Sequence, residues 1–252
     1  RNINVLMLTI LFVFYRNNRT LEAHSIQKKK KKNQQIANAM SAELDDVIET
    51  AISIRDELSG LTTYSQAQMR STIQNLIRQD DDVLIHRVSV YRPHSNINDE
   101  YVDDSVVVFH ISSPATGVID ETRTFTFDNQ QPAPDAGMFK PLESNQAEWF
   151  KQDVAYEDRE GSGAISLALP YAYADTSTGV IWVDIPQAIF DDLFLTELNN
   201  VGLLSETMNG FAMLIDENGE LLSASGERAH DITTALAGEI LSRIDSDRRV
   251  DY

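Results

Sequence analysis

Three side chains that lie close together in the sequence have the chemistry of a small-molecule site. They are Trp149, Tyr156 and Asp158. A tryptophan face and a tyrosine ring can enclose the body of a ligand, and an aspartate can bind an ammonium group. Trp149 could equally pack in a core, and Asp158 could be a turn residue beside Arg159 and Gly161. The residue types by themselves leave both alternatives open.

Motifs that would identify an active site are missing from this sequence. It contains no cysteine, which excludes disulfides, thiol catalysis and zinc–thiolate sites. Its five histidines lack metal-binding spacing, and there is neither a Gly-x-Ser-x-Gly elbow nor a phosphate-binding glycine loop. We therefore expect no metal, no cofactor and no catalysis in this region. A hydrolase with two converging carboxylates is an alternative that sequence cannot test.

The charge of the chain is distributed unevenly. Residues 1–32 hold eight of the 21 Lys and Arg residues and one of the 39 acids, which leaves 13 basic and 38 acidic residues in 33–252. So acidic a body repels nucleic acid, and we expect no nucleic-acid partner. High negative charge also favours solubility.

The N-terminal arm begins with an apolar run, VLMLTILFVFY, at residues 5–15. It is shorter than the roughly 20 residues of a spanning helix. It fits a signal-peptide core, the C-terminal part of a spanning helix, or a buried core helix. Five lysines follow at 28–32. The positive-inside rule places such a cluster on the cytoplasmic side, although it could also lie against anionic headgroups.

Two amphipathic helices are predicted after the arm. Apolar residues recur at steps of three or four from Asn33, with no glycine or proline before Gly60. This stripe consists of Ile36, Met40, Leu44, Val47, Ala51, Ile54 and Leu58. It could mediate dimerisation, or it could pack on the chain's own sheet. A second helix is predicted at 65–79, with Met69, Ile73, Leu76 and Ile77 on one side.

Strand patterns occupy most of the remaining sequence. Period-2 alternation at 165–173 and an apolar run at 180–185 predict two strands, followed by a helix that opens at Pro186. Further strands are predicted at 83–91, 105–111 and 124–127, an exposed loop at 130–137, and a helix at 228–244. Between two apolar runs in 210–226, the sequence Asp-Glu-Asn-Gly indicates a hairpin.

Two of these segments resemble double Cache (dCache) sensor domains. The proline-bearing strand, polar turn and Gly-Val-Ile-Trp-Val-Asp-Ile strand at 161–185 resemble the end of the membrane-distal module. The hairpin at 210–226 resembles the opening of the membrane-proximal module. Together with the preceding helix, the resemblance covers about two thirds of the chain. It implies an α+β fold, with a long N-terminal helix followed by two tandem PAS-like (Cache) modules, the second apparently truncated.

The resemblance also implies a ligand pocket in the distal module. Glu148-Trp149-Phe150 resembles the Trp-Tyr element of that pocket, with Phe150 replacing the tyrosine, and Tyr156-Glu157-Asp158 resembles its Tyr-x-Asp element. The amino-acid-binding subfamily has an arginine where this chain has Ala147, so the usual pose of an α-amino acid is not supported. The predicted ligand-binding residues are Trp149, Phe150, Tyr156, Asp158, Tyr171 and Tyr173.

These patterns combine into one predicted organisation. Residues 1–15 form a partial transmembrane or signal segment, 16–60 a juxtamembrane arm and stalk helix, 61–195 the distal module, and 199–252 an incomplete proximal module. The predicted function is that of the extracytoplasmic sensor region of a bacterial-type membrane receptor. This region is predicted to bind a small molecule of unknown class and to form a homodimer through its N-terminal helix. The change caused by binding is relayed across the cell membrane. The alternative is a membrane-tethered protein-interaction module without a small-molecule pocket.

Overall fold

The computed structural model describes residues 9–13, 23–61, 65–78, 84–92, 105–126, 136–152, 163–173, 177–201, 211–215 and 221–226. In chain order, the elements are β1 (Thr9–Val13), α1 (Ala23–Ser59), α2 (Gln66–Ile77), β2 (Arg87–Arg92), β3 (Ser105–Ser113), β4 (Val118–Thr126), α3 (Ala136–Ser144), β5 (Glu148–Gln152), β6 (Ala164–Tyr173), β7 (Ser177–Pro186), α4 (Gln187–Asn200), β8 (Phe211–Ile215) and β9 (Leu221–Gly226).

Residues 45–187 form one compact unit, here called the central unit, around a six-stranded antiparallel sheet. The strand order is β4-β3-β2-β7-β6-β5, so β2 and β7 are neighbours in the middle of the sheet although they are far apart in sequence. A short 3-10 turn at Pro114–Thr116 joins β3 to β4. Gly117 ends this turn with φ of 59°, a left-handed conformation that glycine adopts without strain.

Side-chain alternation gives this sheet two different faces. On the face here called the α3 face, Phe139 and Leu142 of α3 pack against a buried cluster that includes Trp182. The opposite face, here called the α2 face, is contacted at its edge by α2. There Arg70 donates to Oγ1 of Thr122 at 3.4 Å and also to the carbonyl oxygen of Ile119. Each face therefore has its own helix.

The two other segments of the chain, 1–44 and 188–252, form a second compact unit, here called the terminal unit. It contains a three-stranded antiparallel sheet in the order β1-β8-β9. Helix α4 buries Phe190, Phe194 and Leu198. It is tied to the sheet because Oγ of Ser223 in β9 donates to Oδ1 of Asp191 at 2.6 Å. The boundaries between the units fall inside α1 and just after the first residue of α4. The module boundaries near 61 and 195–199 stay predictions.

Both amphipathic helices predicted after the arm are present, and of their predicted apolar residues Leu76 alone is half-buried rather than buried. All seven residues of the α1 stripe are at most 1% exposed, so the stripe packs within the chain itself. Helix α1 begins at Ala23, ten residues earlier than expected, and includes the lysines at 28–32. Helix α2 buries Met69, Ile73 and Ile77. Its N-cap is Ser65, whose Oγ accepts from the backbone N–H of Gln68 at 3.1 Å.

The N-terminal apolar run contains a strand where we expected a helical segment. Residues 9–13 form β1, which pairs antiparallel with β8. β-branched and aromatic residues, including Ile10, Phe12 and Val13, favour an extended conformation when a partner strand is available. Among the described residues, none of the helices is long and apolar enough to cross a membrane. The membrane or signal role of residues 1–15 stays a prediction.

Two elements of the central unit were not predicted, α3 and β5. Helix α3 carries Pro141 in its interior and starts within the segment 130–137 that we predicted as a loop. Proline inside a helix removes one backbone hydrogen bond, so the local sequence argues against a helix that tertiary contacts with β5, β6 and β7 support. The turn predicted at 216–219 and the helix predicted at 228–244 lie outside the described residues.

Candidate ligand-binding site

The α3 face carries a row of polar residues that runs across the sheet. Residues directly opposite each other in an antiparallel ladder point to the same face. The register pairs Glu121 with His110, His110 with Arg87, Arg87 with Asp184, and Asp184 with Ser166. Five strands thus contribute one polar side chain each, in adjacent positions.

Asp184 is the centre of this polar row. Its Oδ1 accepts from Oγ of Ser166 at 2.6 Å, and its Oδ2 accepts from Nε of Arg87 in a salt bridge. The side chains of Arg87 and Asp184 are only 10% and 3% exposed. Of the acidic residues whose burial the structure describes, Asp184 alone is buried. A buried ion pair contributes little net stability compared with apolar residues of the same volume, so its presence points to a role beyond packing.

The local backbone around Asp184 is fixed by the sheet. The backbone N–H of His86 donates to the carbonyl oxygen of Asp184 at 3.0 Å, and the carbonyl oxygen of His86 accepts from Ile111 at 2.9 Å. These bonds extend the β2 ladder by one residue on both sides. Backbone pairing therefore holds the polar row in a single register.

Burial lowers the pKa of His86 below its ordinary value of 6.5, because desolvation disfavours the imidazolium.

Three aromatic rings lie beside the polar row on the α3 face. Tyr91 and Phe139 meet edge to face with ring centroids 4.8 Å apart, and Phe139 meets Trp182 edge to face at 5.7 Å. Trp182 is fully buried, while Tyr91 and Phe139 are half-buried. Since Phe139 belongs to α3, this aromatic trio joins the helix to β2 and β7. A polar row beside aromatic surface is the composition typical of small-molecule sites.

The structure divides the predicted ligand-binding residues between the two faces. Phe150 is opposite Ser166 and packs in the buried cluster of the α3 face with Trp182. Trp149, half-buried, is opposite Leu167, which places it on the α2 face. Adjacent residues of a strand point in opposite directions, so Trp149 and Phe150 cannot line one surface of this sheet.

Tyr171 also belongs to the α2 face, because it lies two positions beyond Leu169 in the alternation of β6. Its side chain is 2% exposed, and it is opposite Gly179. A Cβ at position 179 would overlap the Tyr171 ring and the carbonyl oxygen of Tyr91, which explains the glycine there. Tyr173 is opposite Ser177. Tyr156 and Asp158 lie outside the described residues, so their part in a site stays a prediction.

The residues that make up the polar row were not predicted as site residues. A usable signal was present, because Asp184 is a charged residue inside the otherwise apolar run 180–185 and Arg87 lies inside a predicted strand. A buried charge requires a partner. The sequence did not indicate which partner, since Arg87 and Asp184 are 97 positions apart. Within the described ranges, no group of three or more His, Asp or Glu residues could hold a metal ion.

Comparison with known proteins identifies the fold. No protein-family model and no curated protein matches the sequence. Among solved structures, methyl-accepting chemotaxis protein X is similar at a TM-score of 0.52 and 14% identity, over 81% of this chain and 74% of the other. The periplasmic sensory domain of the Campylobacter jejuni chemoreceptor Tlp1 is similar at 0.50 and 11%, over 81% and 73%. The ligand-binding domain of the Pseudomonas aeruginosa amino acid chemoreceptor PctC, in complex with GABA, reaches 0.47 and 11%, over 79% and 76%.

The similarities at TM-scores of 0.52 and 0.50 show that the chain has the fold of chemoreceptor sensory domains. They confirm the α+β architecture with a long N-terminal helix that the double Cache resemblance predicts. Of these two neighbours, one is a methyl-accepting chemotaxis protein and the other is the periplasmic sensory domain of a chemoreceptor. The truncation of the second module stays a prediction.

Proposed function

We propose that this chain is the extracytoplasmic sensor region of a membrane receptor and that it binds a small molecule on the α3 face of the central unit. The observation that carries the proposal is the buried polar row around Asp184 beside the aromatic trio. The fold supports the sensory role, since chemoreceptor sensory domains share it. A sheet face that combines buried charge with aromatic surface is the place where we expect ligand contacts.

Signalling requires that the ligand favours one of two states of the protein. Helix α3 is well placed to respond, because Phe139 contacts both Tyr91 and Trp182. A ligand that inserts beside these rings has to alter the packing of α3 on the sheet. We infer that this change in packing is the first step of the relay toward the membrane.

Membrane attachment and dimerisation complete the proposed receptor. Attachment through residues 1–15 and a homodimer formed along α1 follow from the dCache resemblance. Since the apolar stripe of α1 is buried within the chain, a dimer would use the polar faces of that helix. The alternative function, a protein-interaction module, requires an exposed apolar patch. Among the side chains that the structure describes, Val118 and Leu195 are the only large apolar ones exposed to solvent.

The experiment is a thermal-shift screen of the 252-residue chain against amines, amino acids, carboxylates and nucleobases. A ligand at 100 times its Kd adds about 2.7 kcal/mol of stability. In a unit of this size, that corresponds to a rise in Tm of roughly 5–10 °C. We expect the rise to disappear in Ser166→Ala, which removes a polar group from the row.

Matched variants on the two faces then locate the ligand. Tyr91→Leu removes a ring from the α3 face, and Tyr171→Leu removes a ring from the α2 face. For each variant, the Tm shift caused by the ligand is measured against that variant's own Tm, so a general loss of stability cancels. We expect the ligand shift to be lost in Tyr91→Leu and kept in Tyr171→Leu. The reverse result would move the site to the α2 face, with Trp149 as its first candidate. No shift with any compound would favour the interaction module.

A further inference from the structure

The buried carboxylate of Asp184 already has a cation of its own. Its Oδ2 accepts from Nε of Arg87, and its Oδ1 accepts from Oγ of Ser166. We propose that Arg87 is a built-in counter-ion that closes Asp184 to cationic ligands, so that the α3 face takes a small molecule without an ammonium or guanidinium group. This inference rests on the proposed function and narrows it to a class of ligand that is uncharged or anionic.

Competition between Arg87 and a ligand cation favours Arg87. A free carboxylate in apolar surroundings would be the strongest cation site on this face. Arg87 lies on the neighbouring strand, directly opposite Asp184, so its guanidinium is present at the high effective concentration of a tethered group. A ligand amine would have to displace it and leave a buried arginine without its carboxylate. The displacement is unfavourable, because the new ion pair between the ligand and Asp184 does not compensate for a buried arginine without a carboxylate.

The two ion pairs of the α3 face give a cation no further reason to bind. The β4 residues Glu121 and Arg123 form an ion pair with each other, as Arg87 and Asp184 do. Each of these two pairs is neutral overall, so neither adds net negative charge to the face. Phe139 meets both Tyr91 and Trp182 edge to face, so ring edges cover part of the π surface that would attract a cation. Uncharged and anionic molecules do not have to displace Arg87 from Asp184 in order to bind.

Chemical rescue tests the inference on the whole chain. The probes are n-propylguanidinium and n-propylammonium, with n-propylurea as the uncharged control and NaCl at the same ionic strength. We expect the cations to leave the Tm of the unmodified chain unchanged. Arg87→Ala should melt at a lower temperature, and n-propylguanidinium should raise its Tm by about 5 °C or more at 100 times its Kd. Neither n-propylurea nor NaCl should do so.

The double variant Arg87→Ala/Asp184→Ala is the specificity control, because without the carboxylate no rescue is expected. If Arg87→Ala does not fold, Arg87→Ser takes its place, since its hydroxyl can donate toward Asp184 and its small side chain leaves room for the probe. The inference is overturned if either cation stabilises the unmodified chain and Asp184→Asn abolishes that effect, or if the single variant is not rescued. Cationic stabilisation of the unmodified chain would still support a small-molecule sensor. A chain that ignores every compound of the screen contradicts the sensor proposal, whatever the rescue shows.

Discussion

Breaking the Arg87–Asp184 pair should destabilise the central unit strongly. The side chains are 10% and 3% exposed, so water screens the remaining charge only weakly. Removal of one partner from a buried pair costs roughly 3–5 kcal/mol, because the other charge is left uncompensated. We therefore expect Arg87→Met and Asp184→Asn each to lower the free energy of unfolding by about this amount. The double variant Arg87→Met/Asp184→Leu should lose much less than the sum of the two, because no buried charge remains.

Urea unfolding followed by tryptophan fluorescence measures the stability of the central unit. The chain has two tryptophans, Trp149 and Trp182, and both belong to the central unit. The matched control is Arg123→Met, which breaks the ion pair with Glu121 on the same face of the sheet. Those side chains are 42% and 32% exposed, so we expect a loss below about 1 kcal/mol. If Arg87→Met is as mild as Arg123→Met, the pair is hydrated in solution and the reasoning is refuted.

Three further predictions concern the central unit. Because the pKa of His86 is lowered on folding, the unfolded chain binds the additional proton as pH falls through 6.5. When the pH is lowered from 7.5 to 5.5, the free energy of unfolding from urea melts should therefore fall less in His86→Gln than in the unmodified chain. An equal fall in both would contradict this. Ser65→Ala should cost about 1 kcal/mol in the same melts, because the Gln68 N–H loses its cap, and no loss would mean that water replaces it. Gly179→Ala should lower the free energy of unfolding by roughly 1–3 kcal/mol, because the added Cβ collides with the Tyr171 ring. An unchanged Tm would show that the ring moves aside.

Much of the secondary structure could be predicted because its signals are local. The α1 stripe recurs at helical spacing, and all of its members are buried. Period-2 alternation at 165–173 separated the side chains of β6 into two sets, and the structure confirms that Leu167 and Ser166 point to opposite faces. Helix α3 could not be predicted in this way, since Pro141 disfavours it locally and contacts with three strands stabilise it.

The candidate site was harder to predict than the fold. Phe150 was selected by resemblance, and it does contact the buried cluster of the α3 face. Trp149 was selected with it, but a strand places the two residues on opposite faces. Their pairing would have required a loop or helix at 148–150, and the sequence does not exclude β5. Sequence reasoning therefore selected a segment that contributes Phe150 to the α3 face, but it could not assign the side chains of that segment to a surface.

Sequence alone determined the fold class, the acidic composition of residues 33–252 and the periodicity of the strands, because composition and near-neighbour spacing carry that information. Only the tertiary structure brought Arg87 to Asp184 and Phe139 to Trp182. The first contact depends on β2 pairing with β7 across 97 positions, and the second depends on α3 packing over the sheet. Pairing between distant strands is decided by the free energy of the whole core, to which every buried residue contributes. A buried charge thus showed in the sequence that a partner must exist, and the fold determined which residue it is.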